Sequence, residues 1–462
     1  MDAHYDTVII GAGLSGLAAG VRLAYYDQRV CILERHTTIG GLNSFYRLDG
    51  RNYDVGLHAI TNYSPKGAKK GPLAKILRQL RIGWDEWSLA PQVGSRIAFP
   101  GVSLDFNNDF DFFRSEIHRE FPGQKDNFER LVGQIADYDN LDFTHADRSA
   151  REVVSAAISD PLLVEMLFCP LMFYGSAREG DMDFAQFCVM FRSIFMEGLG
   201  RPAAGVRLIL KTLVRKFKEL GGELRLRSGV SRLEIADDAI SHLVLDDGSK
   251  LTARNVLSSA GWRETMRLCA DGSHDDCHPG RLSFVESISV LDCQPRRLGY
   301  DRTAVFFNDS HIFHWQRPDD LVDPRCGVIC SPNNFVYDAP PDEGMMRVTM
   351  LANFDRWQAL DERDYRLAKL HWYDRMIASA TRWTPDFRSH VVATDMFTPL
   401  TIRRFTGHEN GAVYGAPQKR YDGTTHLKNL FVCGTDQGFV GIVGSTISGI
   451  SIANRYLLKP TP

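Results

Sequence analysis

The chain has 462 residues, of which 44% are hydrophobic and 24% charged, and its 54 Lys and Arg against 57 Asp and Glu leave a formal charge of −3. That is ordinary globular composition with roughly three domains' worth of length; it excludes disorder, a collagen-like repeat and a small disulfide scaffold, and it offers no cationic field for nucleic acid. Nine scattered cysteines with no C-x-x-C pair point to a reducing compartment rather than to a disulfide framework or a dithiol site. The first apolar run, Val8 to Ile10, reads as a strand entering a glycine loop and not as a signal peptide. The longest apolar stretch, Pro161 to Gly175, carries Glu165 and two prolines and falls short of the ~18 residues of a membrane span. A cytoplasmic protein, soluble or resting on a membrane, is expected.

In chain order, residues 6 to 35 read as one βαβ unit. Thr7-Val8-Ile9-Ile10 is a strand, Gly11-Ala12-Gly13-Leu14-Ser15-Gly16 opens a helix running through Leu23, and Val30-Cys31-Ile32-Leu33 is a second strand ending at Glu34-Arg35. Gly11 allows the tight turn, Gly13 the approach of a pyrophosphate, and Gly16 close packing of helix on sheet. The free amides at Leu14 and Ser15 face phosphates, and Glu34 is placed for ribose hydroxyls. A bare glycine turn between strand and helix is the plain alternative; the two flanking strands and Glu34 together favour a nucleotide. Ile39-Gly40-Gly41-Leu42 and then Asp54-Val55-Gly56-Leu57-His58 follow. A glycine pair after the ribose carboxylate and then Asp-x-Gly resembles FAD enzymes of the glutathione-reductase type.

Tyr63 to Trp84 carries six basic residues, Lys66, Lys69, Lys70, Lys75, Arg78 and Arg81, and no acidic one, with Leu73, Ile76, Leu77 and Leu80 at helical spacing. Such a segment suits either an anionic membrane surface or a solvated helix face. Residues 70 to 200 read as helical. Phe168, Leu171, Met172, Phe173, Phe184, Phe187, Met190, Phe191, Phe195 and Met196 are candidates for an apolar tunnel, with core packing the alternative for each. Residues 203 to 220 form a basic amphipathic helix ended by Gly221-Gly222. Strands then occupy Glu223 to Leu245, Asp246-Asp247-Gly248-Ser249 is a hairpin turn, and Asn255 to Gly261 returns to the nucleotide sheet. Cys269, His274, Cys277 and His278 match no usual zinc spacing, and no metal site is expected. Ala304 to Phe307, His311 to Trp315 and Arg347 to Leu351 read as strands, and a helix runs from about Asp361 to Ala380.

Near the C-terminus, Asn429-Leu430-Phe431-Val432-Cys433 is a strand entering the turn Gly434-Thr435-Asp436. Gly441-Ile442-Val443-Gly444-Ser445-Thr446 then opens a helix running to about Leu458. Cys433 reads as an inert buried thiol, with covalent attachment of a cofactor conceivable. Both ends of the chain resemble the FAD-dependent phytoene desaturase, carotenoid isomerase and retinol saturase family of the flavin amine-oxidase-like superfamily. Two departures are Leu42, where many relatives carry arginine, and the absence of a Pro-Gly-rich C-terminal loop. The resemblance implies an α/β fold: a Rossmann-like FAD domain from residues 1-70, 201-274 and 416-462, interleaved with a mixed α+β substrate domain from 71-200 and 275-415. It implies FAD held by Gly11, Gly13, Leu14, Ser15, Gly16, Glu34, Arg35, Gly40, Gly41, Leu42, Gly56, Leu57, His58, Val230, Ala260, Gly261, Gly434, Thr435, Asp436, Gly444, Ser445 and Thr446. The closing helix would bring its positive end to the flavin.

The expected activity is desaturation of a long isoprenoid or carotenoid-type substrate. Isomerisation or saturation of a polyene, amine oxidation, and non-catalytic carriage of prenyl lipids are the alternatives. His58 is the first candidate base and Asp436 the second, against a hydrogen-bonded histidine and a turn-capping aspartate. With no second G-x-G-x-x-G unit, electrons are expected to pass to or from oxygen, a quinone or a partner protein, and residues 66 to 81 are the candidate membrane contact.

Overall fold

The computed structural model describes residues 4–56, 58–139, 147–272 and 277–458. The glycine-rich N-terminal unit forms the strand His4–Ile10, the helix Leu14–Ala24 and the strand Val30–Leu33. Ten of the eleven residues of that helix are buried, because it is packed between the sheet and the helix Gly441–Ile452. Around His4–Ile10 a parallel sheet collects strands from distant parts of the chain. Lys250–Ser258 lies on one side with Leu430–Val432 beyond it, and Val30–Leu33 lies on the other with Glu223–Arg225 beyond. The hairpin Val230–Ala236 and Ala239–Leu245 joins antiparallel to the start of Lys250–Ser258. The turn between Leu245 and Lys250 is the one expected at Asp246 to Ser249.

A second sheet of seven strands stands apart. Its order is Val391–Phe397, Ser283–Leu291, Gly344–Ala352, Cys326–Cys330, Ala304–Asn308, Ser95–Phe99 and Val102–Phe106. All neighbours are antiparallel except Ala304–Asn308 with Ser95–Phe99. The helices Phe110–Glu120, Lys125–Asp137, Ala150–Ala157, Pro161–Gly175 and Phe184–Phe191 share one large core with this sheet.

The structure departs from the sequence reading in four places. Residues 70 to 200 are not wholly helical, since two of their strands enter the second sheet. His311 to Trp315 is not a strand but a turn held by Asn308 Nδ2, which donates to Ser310 O at 2.7 Å and Ile312 O at 2.8 Å. The helix Pro72–Gln79 packs Leu73, Ile76 and Leu77 into the core of the nucleotide sheet together with Leu80 and Trp87, so the first unit extends past residue 70. The tunnel candidates are core: Phe168, Leu171, Met172, Phe184, Phe187, Met190, Phe191 and Phe195 are buried against one another and Met196 packs on them. Of the ten, only Phe173 reaches the cavity described below.

Candidate functional site

One cavity runs between the two sheets, with about 2040 Å³ of atom-free space, its open mouth included. Its enclosed part measures about 350 Å³, within the roughly 300–1,000 Å³ of a small-molecule site. Its floor is the strand–helix turn. Gly11 N donates to Leu33 O at 2.8 Å, and Ser259 Oγ, at the end of the neighbouring strand, donates to Gly11 O at 3.0 Å. Glycine has different reasons at the next two positions. A Cβ on Gly13 would meet nothing within 4 Å and would project into open space, whereas one on Gly16 would lie 2.2 Å from Gly11 O. Gly13, Leu14 and Ser15 line the cavity, and no side chain caps this helix, so its first-turn amides are left for a ligand.

Glu34 ends the second strand, 8% exposed. Its two carboxylate oxygens accept from Ala12 N at 3.0 Å and His36 N at 2.9 Å, which orients the group and leaves lone pairs toward the cavity. Arg35, Gly40, Gly41, Leu42 and Gly56 complete this end, with Gly40 N donating to Ala12 O at 2.9 Å. Val230 and Ala260 also line it. From the C-terminal part come Gly434, Thr435, Gly441, Ile442 and Ser445, the last three at the uncapped N-terminus of the helix Gly441–Ile452.

Five expected residues are not in the wall. Gly16 and Gly444 serve close packing, Thr446 Oγ1 donates to its own helix at Ile442 O (2.7 Å), and Gly261 caps the helix Trp262–Leu268. Asp436 is 2% exposed, and its carboxylate accepts from Trp262 N at 2.6 Å and Ala416 N at 2.7 Å; it ties loops together behind the cavity and is not placed to act as a base. Leu57 lies outside the described residues. Cys433 is buried outside the wall, with its thiol pushed up to about 12 by burial, which argues against attachment there.

The opposite wall is apolar: Phe173, Phe284, Val328, Phe397, Val413 and Tyr414. Into it the second sheet sets one polar group. Glu286 and Thr349 are register partners on adjacent strands, and Arg347 is two residues from Thr349 on the same face. His58 Nε2 lies 2.9 Å from Thr349 Oγ1 and 3.6 Å from Glu286 Oε2. Arg347, 1% exposed, bonds Glu286 through Nε and donates from Nη2 to Asp54 O at 3.1 Å; Asp54 in turn pairs with Arg201 at 2.6 Å. Burial alone would raise the Glu286 carboxyl, but Arg347 and then His58 outweigh it and hold the group at about 2.

Sequence reasoning missed Glu286, Arg347 and Thr349. An acid inside Ser283–Leu291 and a base inside Gly344–Ala352, both otherwise apolar strands, were the available signal, since buried charges are rarely unpaired. Nothing in the chain order says that these two strands are neighbours. Of the cysteine and histidine cluster, His274 lies outside the described residues. Among the described residues one metal-capable group converges, Asp292, Cys293 and His390, outside the cavity wall, and there Asp292 and His390 already bond each other at 2.9 Å.

The glycine-lined floor, two uncapped helix N-termini and the oriented carboxylate of Glu34 fit a dinucleotide. Comparison with known proteins agrees. Residues 9–79 match the NAD(P)-binding Rossmann-like domain family. The chain is 22% identical to carrot (Daucus carota) chloroplastic prolycopene isomerase over 98% of its own length and 80% of the relative's. It is 24% identical to an all-trans-retinol 13,14-reductase of Danio rerio over 98% of its length and 86% of that protein's. Among solved structures, an oxidoreductase from Methanosarcina mazei superposes with a TM-score of 0.70 at 16% identity, covering 98% of this chain and 100% of the other. A putrescine oxidase bound to putrescine superposes with a TM-score of 0.67 at 15% identity, covering 99% and 100%. By sequence the chain is thus similar over nearly its whole length to a prolycopene isomerase and a retinol reductase, and it shares its fold with these solved structures.

Proposed function

We propose that the chain is an FAD-dependent oxidoreductase that changes the double bonds of a long isoprenoid or carotenoid-type substrate, with desaturation as the reaction. The observation that carries this reading is the continuity of the cavity: a glycine-lined cradle for a dinucleotide opens directly onto an apolar aromatic wall. FAD bound there would supply acceptance or donation of a hydride. The first-turn amides at Gly13, Leu14 and Ser15 would meet its phosphates, Glu34 its ribose, and the positive end of the helix Gly441–Ile452 its flavin ring. In this reading the nucleotide part is built from residues 1–70, 201–274 and 416–462, joined by the segment up to about Trp87, and the remainder shapes the substrate side. The electron acceptor would be oxygen or a quinone.

The names of the relatives favour a second reading within the same chemistry, isomerisation or saturation of a polyene. Anaerobic mixing of the yellow protein with phytoene, diapophytoene, a cis-polyene or retinol separates the two. A desaturase bleaches the flavin band near about 450 nm and lengthens the polyene chromophore. An isomerase leaves substrate mass unchanged, and a saturase consumes reduced flavin. Bleaching by amines alone would overturn the proposal in favour of amine oxidation, and colourless protein that takes up no FAD would leave only lipid carriage.

A further inference from the structure

The cavity wall opposite the glycine-lined floor is largely apolar, with the Tyr174 and Tyr414 hydroxyls in it, and at one place an imidazole, a hydroxyl and an ionised carboxylate meet. The Thr349 hydroxyl can donate to Nε2 or accept from it, but the Glu286 carboxylate 3.6 Å away can only attract a proton, so its charge favours the hydrogen on Nε2 with Thr349 Oγ1 as acceptor. That assignment leaves Nδ1 of His58 as a lone pair, and among the described residues no protein group bonds to it. We propose that Glu286 and Thr349 are positioning residues that fix His58 as the Nε2–H tautomer, so that Nδ1 is the atom exchanging a proton with the substrate. The idea rests on the reading above, and it assigns the acid–base half of that chemistry. When a substrate loses a hydride with both electrons of one C–H bond, the electron pair of the adjacent C–H bond becomes the new double bond, and its proton forms an N–H bond at Nδ1. The imidazolium charge is then met by Glu286, until the proton passes to water. Saturation runs the same transfer backwards.

The groups that face this centre come from several elements. Arg347 stands beside Glu286, Asp54 and Arg201 stand behind Arg347, and Cys330 Sγ lies 3.9 Å from His58 O. Burial pushes the Cys330 thiol up to about 12, and it raises the Tyr174 and Tyr414 hydroxyls, so none of these three titrates near neutral pH.

The test is imidazole NMR of full-length protein labelled at histidine, with His58 assigned by the signal lost in His58→Gln. Glu286→Gln is expected to lower the share of the Nε2–H tautomer at neutral pH. Thr349→Val is expected to introduce the Nδ1–H tautomer at neutral pH, and Glu286→Asp to restore most of the Nε2–H form. In turnover, the same variants should lower kcat with KM little changed, in step with the loss of the Nε2–H tautomer. An unchanged His58 signal in both Glu286→Gln and Thr349→Val would overturn the proposal, and so would full activity in His58→Gln. If Glu286→Gln does not fold, Thr349→Val alone decides. Failure of every polyene to react while the tautomer shift is seen would count against the assigned reaction and not against the positioning.

Discussion

The two glycines of the N-terminal turn separate binding from folding. Gly13→Val places a side chain in the space where the dinucleotide phosphates would lie, and its Cβ meets no protein atom within 4 Å, so this variant should fold with little change in thermal stability and purify without flavin. Gly16→Val drives its Cβ onto Gly11 O and should lose soluble protein altogether. Absorbance spectra and melting curves on the pair check both statements. The buried pair behaves differently. Arg347→Met leaves Glu286 as an uncompensated charge and should cost roughly 3–5 kcal/mol, while adding Glu286→Gln should return a large part of it. Because Glu286 is held below its ordinary value, its contribution is complete above that value and is lost as pH falls toward 2. Acid unfolding of Glu286→Gln should accordingly be less steep in that window. The strand–glycine–helix turn was legible because Gly11 holds a positive φ and Gly16 has no room for a side chain. Glu286 and Thr349 were not, since their meaning depends on which strand lies alongside.

At the scale of elements, the helix Pro72–Gln79 shows how a correct periodicity can hide its partner. Leu73, Ile76 and Leu77 do share one face, and that face is packed into the nucleotide core, so it cannot enter a bilayer. Lys66 pairs with Asp85 at 2.7 Å, and Lys69, Lys70 and Lys75 stand exposed. We propose that any membrane contact here is through charge alone. Sedimentation with anionic vesicles should then vanish at about 0.5 M salt, where screening is strong, and in the triple change of Lys69, Lys70 and Lys75 to Glu. Vesicle binding that survives both treatments would locate the contact on another face. Among the described residues no helix is long and apolar enough to cross a membrane. The helix expected from about Asp361 to Ala380 runs Glu362–Ala380, with Asp361 Oδ1 accepting from Asp364 N. The short turn at His311 to Trp315 misled because alternating apolar residues there fill a core from a loop.

For the whole molecule, a ligand lying between two sheets should stabilise both. Removing flavin is expected to lower the urea midpoint, and free FAD at roughly 100 times its Kd should restore about 2.7 kcal/mol. A midpoint indifferent to FAD would place the nucleotide elsewhere. The two ends of the cavity floor also differ in when they exist. The strand Leu430–Val432 pairs with Val256 to Ser258 and is followed by the helix that packs on Leu14–Ala24. It is made about 400 residues after Val30–Leu33, which at 5–20 residues per second is roughly 20–80 s of synthesis. The strand Lys250–Ser258 emerges within that interval, and until residue 430 is made its apolar edge stays bare and the nucleotide floor open. Yield of soluble protein in cells should therefore depend on chaperone supply and growth temperature more than on the stability of the finished fold, and a nascent chain stalled before residue 430 should hold no flavin.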